Sequence, residues 1–383
     1  MLLTRQVYPF LIRRWMYMSK RKHRLIYEGD IQMDISKVDK NLAVETNIDR
    51  PGLCFYDAEE SPFRIYGVFK ENGLFRRMTE EDARKVSPAI LELHTCAAGG
   101  RVRFVTDSPY VALKTEYFAN KMPHFALTGS CGFDLYSEYG CGVRYEGTYV
   151  PPYDVVDSYE NVVDFDHVCK RVVTINFPPY SVVKKVYIGL QQGSILEAAP
   201  EYKLTKPVVY YGSSITQGGC ASKPGSTYQS ILSFRYDWDY INLGFSGSAL
   251  GEDAMTDYIK GLDMGAFVLD YDYNAPTPEH LQATHSRMYE GIRAVHPDLP
   301  IIMMAQPKYY LNEDGQKRLE IIRATYLAAR EKGDENVYFL SGQDLMELVG
   351  DNGLVDGCHP TDSGFFSMAK ALEKVFDRIV EKM

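Results

Sequence analysis

Pro207-Val208-Val209-Tyr210-Tyr211-Gly212-Ser213-Ser214-Ile215-Thr216 opens with a run that is apolar on both of its alternating faces and ends in a Gly-Ser-Ser turn. A strand covered on one side alternates apolar with polar residues, so a run without that alternation predicts a strand buried between two layers. Similar runs recur downstream: YINLG at 240–244, AFVLDYD at 266–272, IIMMA at 301–305 and VYFLS at 337–341. Each is followed by ten or more residues of helical character. Strands alternating with helices predict a parallel sheet, and about five of them joined by right-handed crossovers give a three-layer α/β/α sandwich over 205–383.

Upstream the pattern is different. Residues from about 30 to 200 alternate as strands between Gly, Pro, Asn and Asp turns. In RVRFVT at 101–106, Val102, Phe104 and Thr106 share one face while Arg101, Arg103 and Val105 share the other, the pattern of a strand covered on one side. YVALKTEY from Tyr110, RVVTINF from Arg171 and SVVKKVYIGL from Ser181 read the same way. The expectation is an arm over 1–29, a β-sandwich of jelly-roll-like connectivity over 30–200, and a linker, EAAPEYKLTKP, before the α/β domain.

Composition narrows the partners. Against 42 Lys and Arg stand 51 Asp and Glu, a formal charge of -9, which gives a polyanionic backbone no general attraction and argues against nucleic acid. The 29 tyrosines permit carbohydrate binding without demonstrating it, since they pack in cores as readily as against sugar rings. Cys54, Cys96, Cys131, Cys141, Cys169, Cys220 and Cys358 are odd in number and lack CxxC spacing, so free thiols are expected. Arg5, Arg13 and Arg14 interrupt the apolar N-terminus before a signal-peptide core forms, and no run is long enough to span a bilayer. A cytoplasmic protein without a membrane partner is expected, with a homo-oligomer left open.

Catalytic groups in an open parallel sheet collect at the carboxyl ends of its strands. Ser214 follows the first strand in a tight turn, where a hydroxyl projects and backbone amides face an anion. Gly247 follows the second strand, where a missing side chain lets its amide approach a substrate oxygen, and Asn274 follows the third, where its carboxamide can donate to the same oxygen. His359 follows the last, with Asp356 three residues earlier to orient it. Taken singly, each is also an ordinary turn or capping residue; their common location at strand ends is what points to acyl transfer. Gln306, Lys308, Tyr309 and Tyr310 fall at the same sheet edge and are candidates for the substrate entrance. His280, His285 and His296 lie on a helical stretch without carboxylates at ligand spacing, and neither metal nor cofactor is expected.

Together these blocks resemble the SGNH, or GDSL-type, hydrolase superfamily, whose Ser, Gly, Asn and His stand in this order. The resemblance implies a flavodoxin-like α/β domain, Ser214 as nucleophile with Asp356 and His359 completing a triad, and an oxyanion hole from the Ser214 and Gly247 amides and the Asn274 side chain. Upstream, Gly132-Phe133-Asp134-Leu135-Tyr136 is similar to the GxDLY segment of a β-domain that precedes some members. That similarity makes Asp134 and Tyr136 candidate substrate contacts, beside the reading that they only fix a turn. Two departures stand out. Ser213 replaces the usual Asp before the nucleophile, and Tyr271-Asp272-Tyr273-Asn274-Ala275 replaces Gly-x-Asn-Asp, so Tyr271 and Tyr273 are expected to narrow the pocket toward a small acyl group such as acetyl.

The function expected is therefore a serine esterase acting on small acyl esters of carbohydrates, its partner a small-molecule or oligosaccharide ester. An acyltransferase with a sugar or alcohol acceptor would use the same residues. A non-catalytic carbohydrate-binding protein is the alternative of another class, and the intact set of Ser, Gly, Asn, Asp and His argues against it.

Overall fold

A computed structural model describes residues 45–140 and 142–383; the arm expected over 1–29, the first part of the β half and Cys141 lie outside the described residues. The run at 207–212 belongs to the strand Leu204–Gly212, and a single helical turn, Ser214–Gln217, follows at once. Ser213 caps that turn, its Oγ accepting from the Ile215 N–H at 3.2 Å, the shaping role that an Asp plays equally well. All five expected strands form one parallel sheet, ordered Trp238–Gly244, Leu204–Gly212, Ala266–Asp270, Ile301–Met304, Val337–Leu340. In chain order this is 2-1-3-4-5, the flavodoxin-like arrangement.

The absence of alternation is explained by two cores. Val209, Tyr211, Phe267, Leu269, Ile301 and Met303 face one, with Leu281, Met288 and Ile292 of the helix Pro278–Val295 and Leu319 and Ile322 of the helix Glu313–Glu331. Val208, Tyr210, Ala266, Val268, Ile302 and Met304 face the other, under Phe365, Met368 and Leu372 of the helix Asp362–Val380. A dozen buried side chains of this size, at about 1.5–3 kcal/mol each, hold the sheet between its layers.

The N-terminal half is mainly antiparallel. One sheet of four strands runs Leu53–Asp57, Val182–Gln191, Tyr110–Phe118, Ser158–Asp164; a second centres on Arg101–Thr106, Arg171–Asn176 and Phe133–Tyr139. Val111, Leu113, Val186 and Ile188 from the first share a core with Val102, Phe104, Leu135 and Ile175 from the second.

The expectation that Arg101–Thr106 is covered on one side is corrected: Arg101 and Arg103 are 1% and 2% exposed. Their face lies against the α/β half. Arg101 donates to the Tyr202 hydroxyl at 2.7 Å and the Tyr240 carbonyl at 3.2 Å, pairs with Asp239, and stacks 3.9 Å from the Tyr240 ring centroid. A buried arginine is admissible here because its donors are taken up by the neighbouring half. Tyr202 also carries Arg103 over its ring at 4.1 Å, so the expected linker is a packed segment.

A second difference is helical. Glu80–Val86, capped by Thr79, and Pro88–Leu93, capped by Ser87, place Ala83 and Ile90 in the core of the parallel sheet. These helices are too short for their period to stand out from the strands around them. Among the described residues no helix is long and apolar enough to cross a membrane.

Candidate active site

Three adjacent strands of the parallel sheet end side by side, Leu204–Gly212 in the middle, Trp238–Gly244 and Ala266–Asp270 on its flanks. Their loops carry Ser214, Gly247 and Asn274. The loop with His359 comes from farther away: after Val337–Leu340 the chain closes a short bridge, Leu354 with Pro360, tightened by the Val355 N–H donating to the His359 carbonyl at 2.8 Å. From that loop His359 Nε2 lies 2.9 Å from Ser214 Oγ, across 145 residues of sequence.

On its other side the imidazole is fixed. Its Nδ1 is 2.8 Å from Asp356 Oδ2, while Asp356 Oδ1 accepts from the backbone N–H groups of His359 and Cys358 at 2.8 and 3.0 Å. Burial by itself would raise the Asp356 carboxyl, but these two N–H groups and the imidazole outweigh it and bring it down to about 2. Asp356 is thus an anion at neutral pH, its carboxylate pinned on both oxygens, and the proton on the imidazole is directed to Nδ1, leaving Nε2 to accept from the serine. Ser214 is 8% exposed. Gly219 lies beneath the pair, where a Cβ would come within 3.0 Å of His359 Cδ2 and of the Tyr180 hydroxyl.

The flanking loops are tied to each other. Asn274 Oδ1 accepts from the Ala249 N–H at 3.3 Å, which fixes the carboxamide so that Nδ2 faces away from that contact. Gly247 has φ of +66° and open space where a Cβ would stand, so left-handed backbone, not crowding, asks for glycine. Among the described residues no hydrogen bond takes up the N–H of Ser214, the N–H of Gly247 or Nδ2 of Asn274. Such an array holds a hydroxyl, a base and three uncommitted donors.

Two models of known families match the chain, the GDSL-like lipase/acylhydrolase family over 205–377 and the GxDLY N-terminal region of SGNH-hydrolase-type esterases over 53–196. Residues 205–377 are a GDSL-like lipase/acylhydrolase domain. It is similar to a Bacteroides ovatus protein assigned as a GDSL-like lipase, at 27% identity and a TM-score of 0.77, over 86% of this chain and 98% of that one. A salicylyl-acyltransferase from a tetracycline biosynthetic pathway shares the fold at 19% identity and a TM-score of 0.69, over 86% and 98% of the two chains. So does an acetyl xylan esterase from the rumen bacterium Butyrivibrio proteoclasticus, at 13% identity and a TM-score of 0.55, over 86% and 99%. No curated protein is similar enough in sequence to count as a match.

In this domain the altered Asn loop has its own support, which sequence reasoning missed. Arg318, from the helix Glu313–Glu331, donates to the carbonyls of Asp272 and Ala275 at 2.6 and 2.9 Å, bracketing Asn274. Asp272 accepts from the Gln306 N–H at 2.9 Å; burial pushes its carboxyl up to about 7, against the pull of that N–H and of Arg318. Beneath the Ser214 turn, Asp270 is raised well above the usual carboxylate range by burial and by Asp272, and accepts from the Thr216 hydroxyl at 2.9 Å.

The N-terminal half reaches the site as well. Tyr180 donates to the Ser214 carbonyl at 2.9 Å, and Gln217 bridges the Pro179 carbonyl to the Ser246 N–H at 3.1 and 2.9 Å. The rings of His124 and Phe125 lie 5.4 and 6.1 Å from that of His359. A long loop that closes on another half carries no local signature, which is why it was not legible.

Other expected contacts are placed elsewhere. Asp134 is fully buried, its oxygens taken by the Asn176 amide at 2.8 Å and the Gly225 N–H at 2.7 Å, and Tyr136 packs its ring on Gly225 and, centroid to centroid, 4.5 Å from Phe234. Both therefore join the halves; Asp134 has no free face for a substrate, while Tyr136 is half-buried at the same seam. Tyr271 does not narrow the pocket: it points into the core, its hydroxyl 2.7 Å from that of Thr284. Gln306 is 7% exposed and serves through its backbone. Tyr273 and Lys308 do border the His359 loop. Burial beside Cys358 raises the Tyr273 phenol, and Lys308 Nζ donates to the Gly357 carbonyl at 3.1 Å. Burial also pushes the Cys220 thiol up to about 12 and that of Cys358 to about 11, so neither is a nucleophile at neutral pH. His280, His285 and His296 are each engaged by a carbonyl or hydroxyl, at 2.7, 3.1 and 2.8 Å.

Proposed function

We propose that the protein is a serine esterase that removes small acyl groups, acetyl foremost, from carbohydrates through an acyl-enzyme on Ser214. The observation that carries this reading is the unbroken relay from Ser214 Oγ through His359 to the ionised Asp356, at 2.9 and 2.8 Å. In the first step His359 takes the hydroxyl proton as Oγ attacks the ester carbonyl, and Asp356 stabilises the imidazolium. The N–H groups of Ser214 and Gly247 with Nδ2 of Asn274 receive the oxyanion. His359 returns its proton to the departing sugar oxygen, and a water deprotonated by the same imidazole then releases the acid.

The substrate class is supported by the acetyl xylan esterase among the relatives and by the N-terminal half, which we read as a jelly-roll-like sandwich that closes the site over His359. Tyr273 beside Cys358 favours a short acyl chain. A second reading, transfer of the acyl group to a sugar or alcohol, has the same residues and is supported by the salicylyl-acyltransferase relative. The ratio of free acid to transferred acyl group, with and without a sugar acceptor, separates the two.

The test is covalent labelling by a fluorophosphonate together with turnover of p-nitrophenyl acetate. Wild type should label and turn over, and Ser214→Ala should do neither. Equal hydrolysis by Ser214→Ala would overturn the assignment.

A further inference from the structure

His124, Cys220 and His359 come from three distant segments, yet one ligand atom of each lies within 4.8 Å of the others. Cys220 sits in the left-handed region at φ of +72°, in the loop just after the Ser214 turn, and its Sγ lies 3.6 Å from the His124 carbonyl. The His124 ring is tilted by 50° to that of His359. Two imidazoles and a thiol are the donor set of a borderline-soft divalent cation, and no carboxylate in the group would favour a hard one.

We propose that this cluster is an inhibitory site for a thiophilic divalent cation such as zinc, which binds His124, Cys220 and His359 and so switches off Ser214. The His359 nitrogen offered is Nε2, because Nδ1 is held by Asp356. Nε2 is also the atom that faces Ser214 Oγ, so a cation there occupies the seat of the transferred proton. Zinc sits about 2.3 Å from sulfur and about 2.0–2.1 Å from nitrogen, which sets tetrahedral donors roughly 3.3–3.7 Å apart. A contraction of about 1 Å from the present spread is within reach of the exposed His124 side chain, given the staggered alternatives open to it. Cys220 binds as the thiolate and its proton passes to solvent. Water completes the fourth position.

The inhibitory half of the proposal rests on the serine-esterase reading, whereas the binding half does not. Cobalt(II) added to the full-length protein stripped of metal should therefore give a thiolate-to-cobalt charge-transfer band with tetrahedral d–d bands. That spectrum should be lost in Cys220→Ser and weakened at least tenfold in affinity in His124→Ala. In the ester assay, zinc should inhibit wild type reversibly, with activity restored by a chelator. His124→Ala and Cys220→Ser, each measured against its own metal-free rate, should need at least tenfold more zinc for half inhibition. A cobalt spectrum without a thiolate band, or zinc inhibition unchanged in both variants, would overturn the site. Failure of every ester as a substrate would count against the esterase reading and, with it, the inhibitory half, while the cobalt spectrum would still decide the binding site.

Discussion

Replacing Arg318 by methionine should detach the Asn274 loop while leaving every group of the Ser214–His359–Asp356 relay in place. One guanidinium nitrogen serves both the Asp272 carbonyl at 2.6 Å and the Ala275 carbonyl at 2.9 Å, and the residue is only 7% exposed. Methionine keeps most of the stem but offers no donor. Each buried carbonyl left without a partner costs about 1–3 kcal/mol, so the pair is worth about 2–6 kcal/mol. The bond to Asp314 at 2.6 Å adds little, because that carboxylate is 54% exposed. The melting temperature should fall by roughly 2–8 °C. The effect on turnover passes through Asn274: a displacement of about 1 Å costs on the order of 10² in rate. The assay is kcat and KM for p-nitrophenyl acetate at a temperature where both proteins are folded, beside a thermal melt. Asp314→Ala, which removes only the exposed partner, should keep kcat within about twofold, in line with the small worth of such pairs. A variant of Arg318 that melts early but turns over at the wild-type rate would show that Asn274 holds its position without the guanidinium, and the argument would fail.

Asn274→Asp should keep the Ala249 contact through one carboxylate oxygen but lose the donor, lowering kcat by about 10²–10³ with a small change in melting temperature. Gly219→Ala places a methyl 3.0 Å from His359 Cδ2; we expect kcat to drop at least tenfold while fluorophosphonate labelling slows in parallel, and equal labelling rates would refute it. Asp272 gives a pH signature. An unfolded Asp titrates near 3.9, whereas burial holds this one at about 7, so in between the folded protein keeps a proton that the unfolded chain has released. Stability should therefore decline as pH rises from about 4 to about 7, by at most about 4 kcal/mol. Asp272→Asn should lessen that slope when urea melts are compared at pH 5 and pH 8, the remainder coming from buried Asp270, and an identical slope would exclude Asp272 as a source.

What was legible in the sequence follows from how local each signal is. Val208 to Gly212 read as a strand buried on both faces, and Ser214, Gly247, Asn274 and His359 could be singled out as candidates because loops at strand ends are set by the same local pattern. Arg101 and Arg103 misled because a charged side chain reads as solvent-facing unless the partner surface is known, and Asp239 and Tyr202 are about a hundred residues away or more. Asp134 misled for the same reason: a motif can mark a joint as easily as a binding site. Tyr271 and Tyr273, two apart, looked equivalent as pocket walls. Along an extended strand they would share a face, but the strand ends at Asp270 and the chain turns from Asp272, which puts Tyr271 in one core and leaves Tyr273 against the other. The grouping of His124, Cys220 and His359 had no sequence signal at all, since metal-ligand spacing is recognisable only when ligands share a segment.

The seam between the halves has a consequence for inheritance. Arg77 reaches the carbonyls of Asn242 and Gly244 and stacks 4.5 Å from the Phe245 ring, Gly225 admits Tyr136 only because it has no side chain, and Ile90 fills a core built by the other half. A detachable module would present a polar rim here, whereas this surface is stripped of water and keyed residue by residue. Grafting the N-terminal half of a distant relative onto residues 205–383 would strand buried arginines and leave holes under the Ser214 turn. The two halves must therefore diversify in step, and new substrate preferences can arise from loops such as the one bearing His124 more readily than from exchange of whole domains.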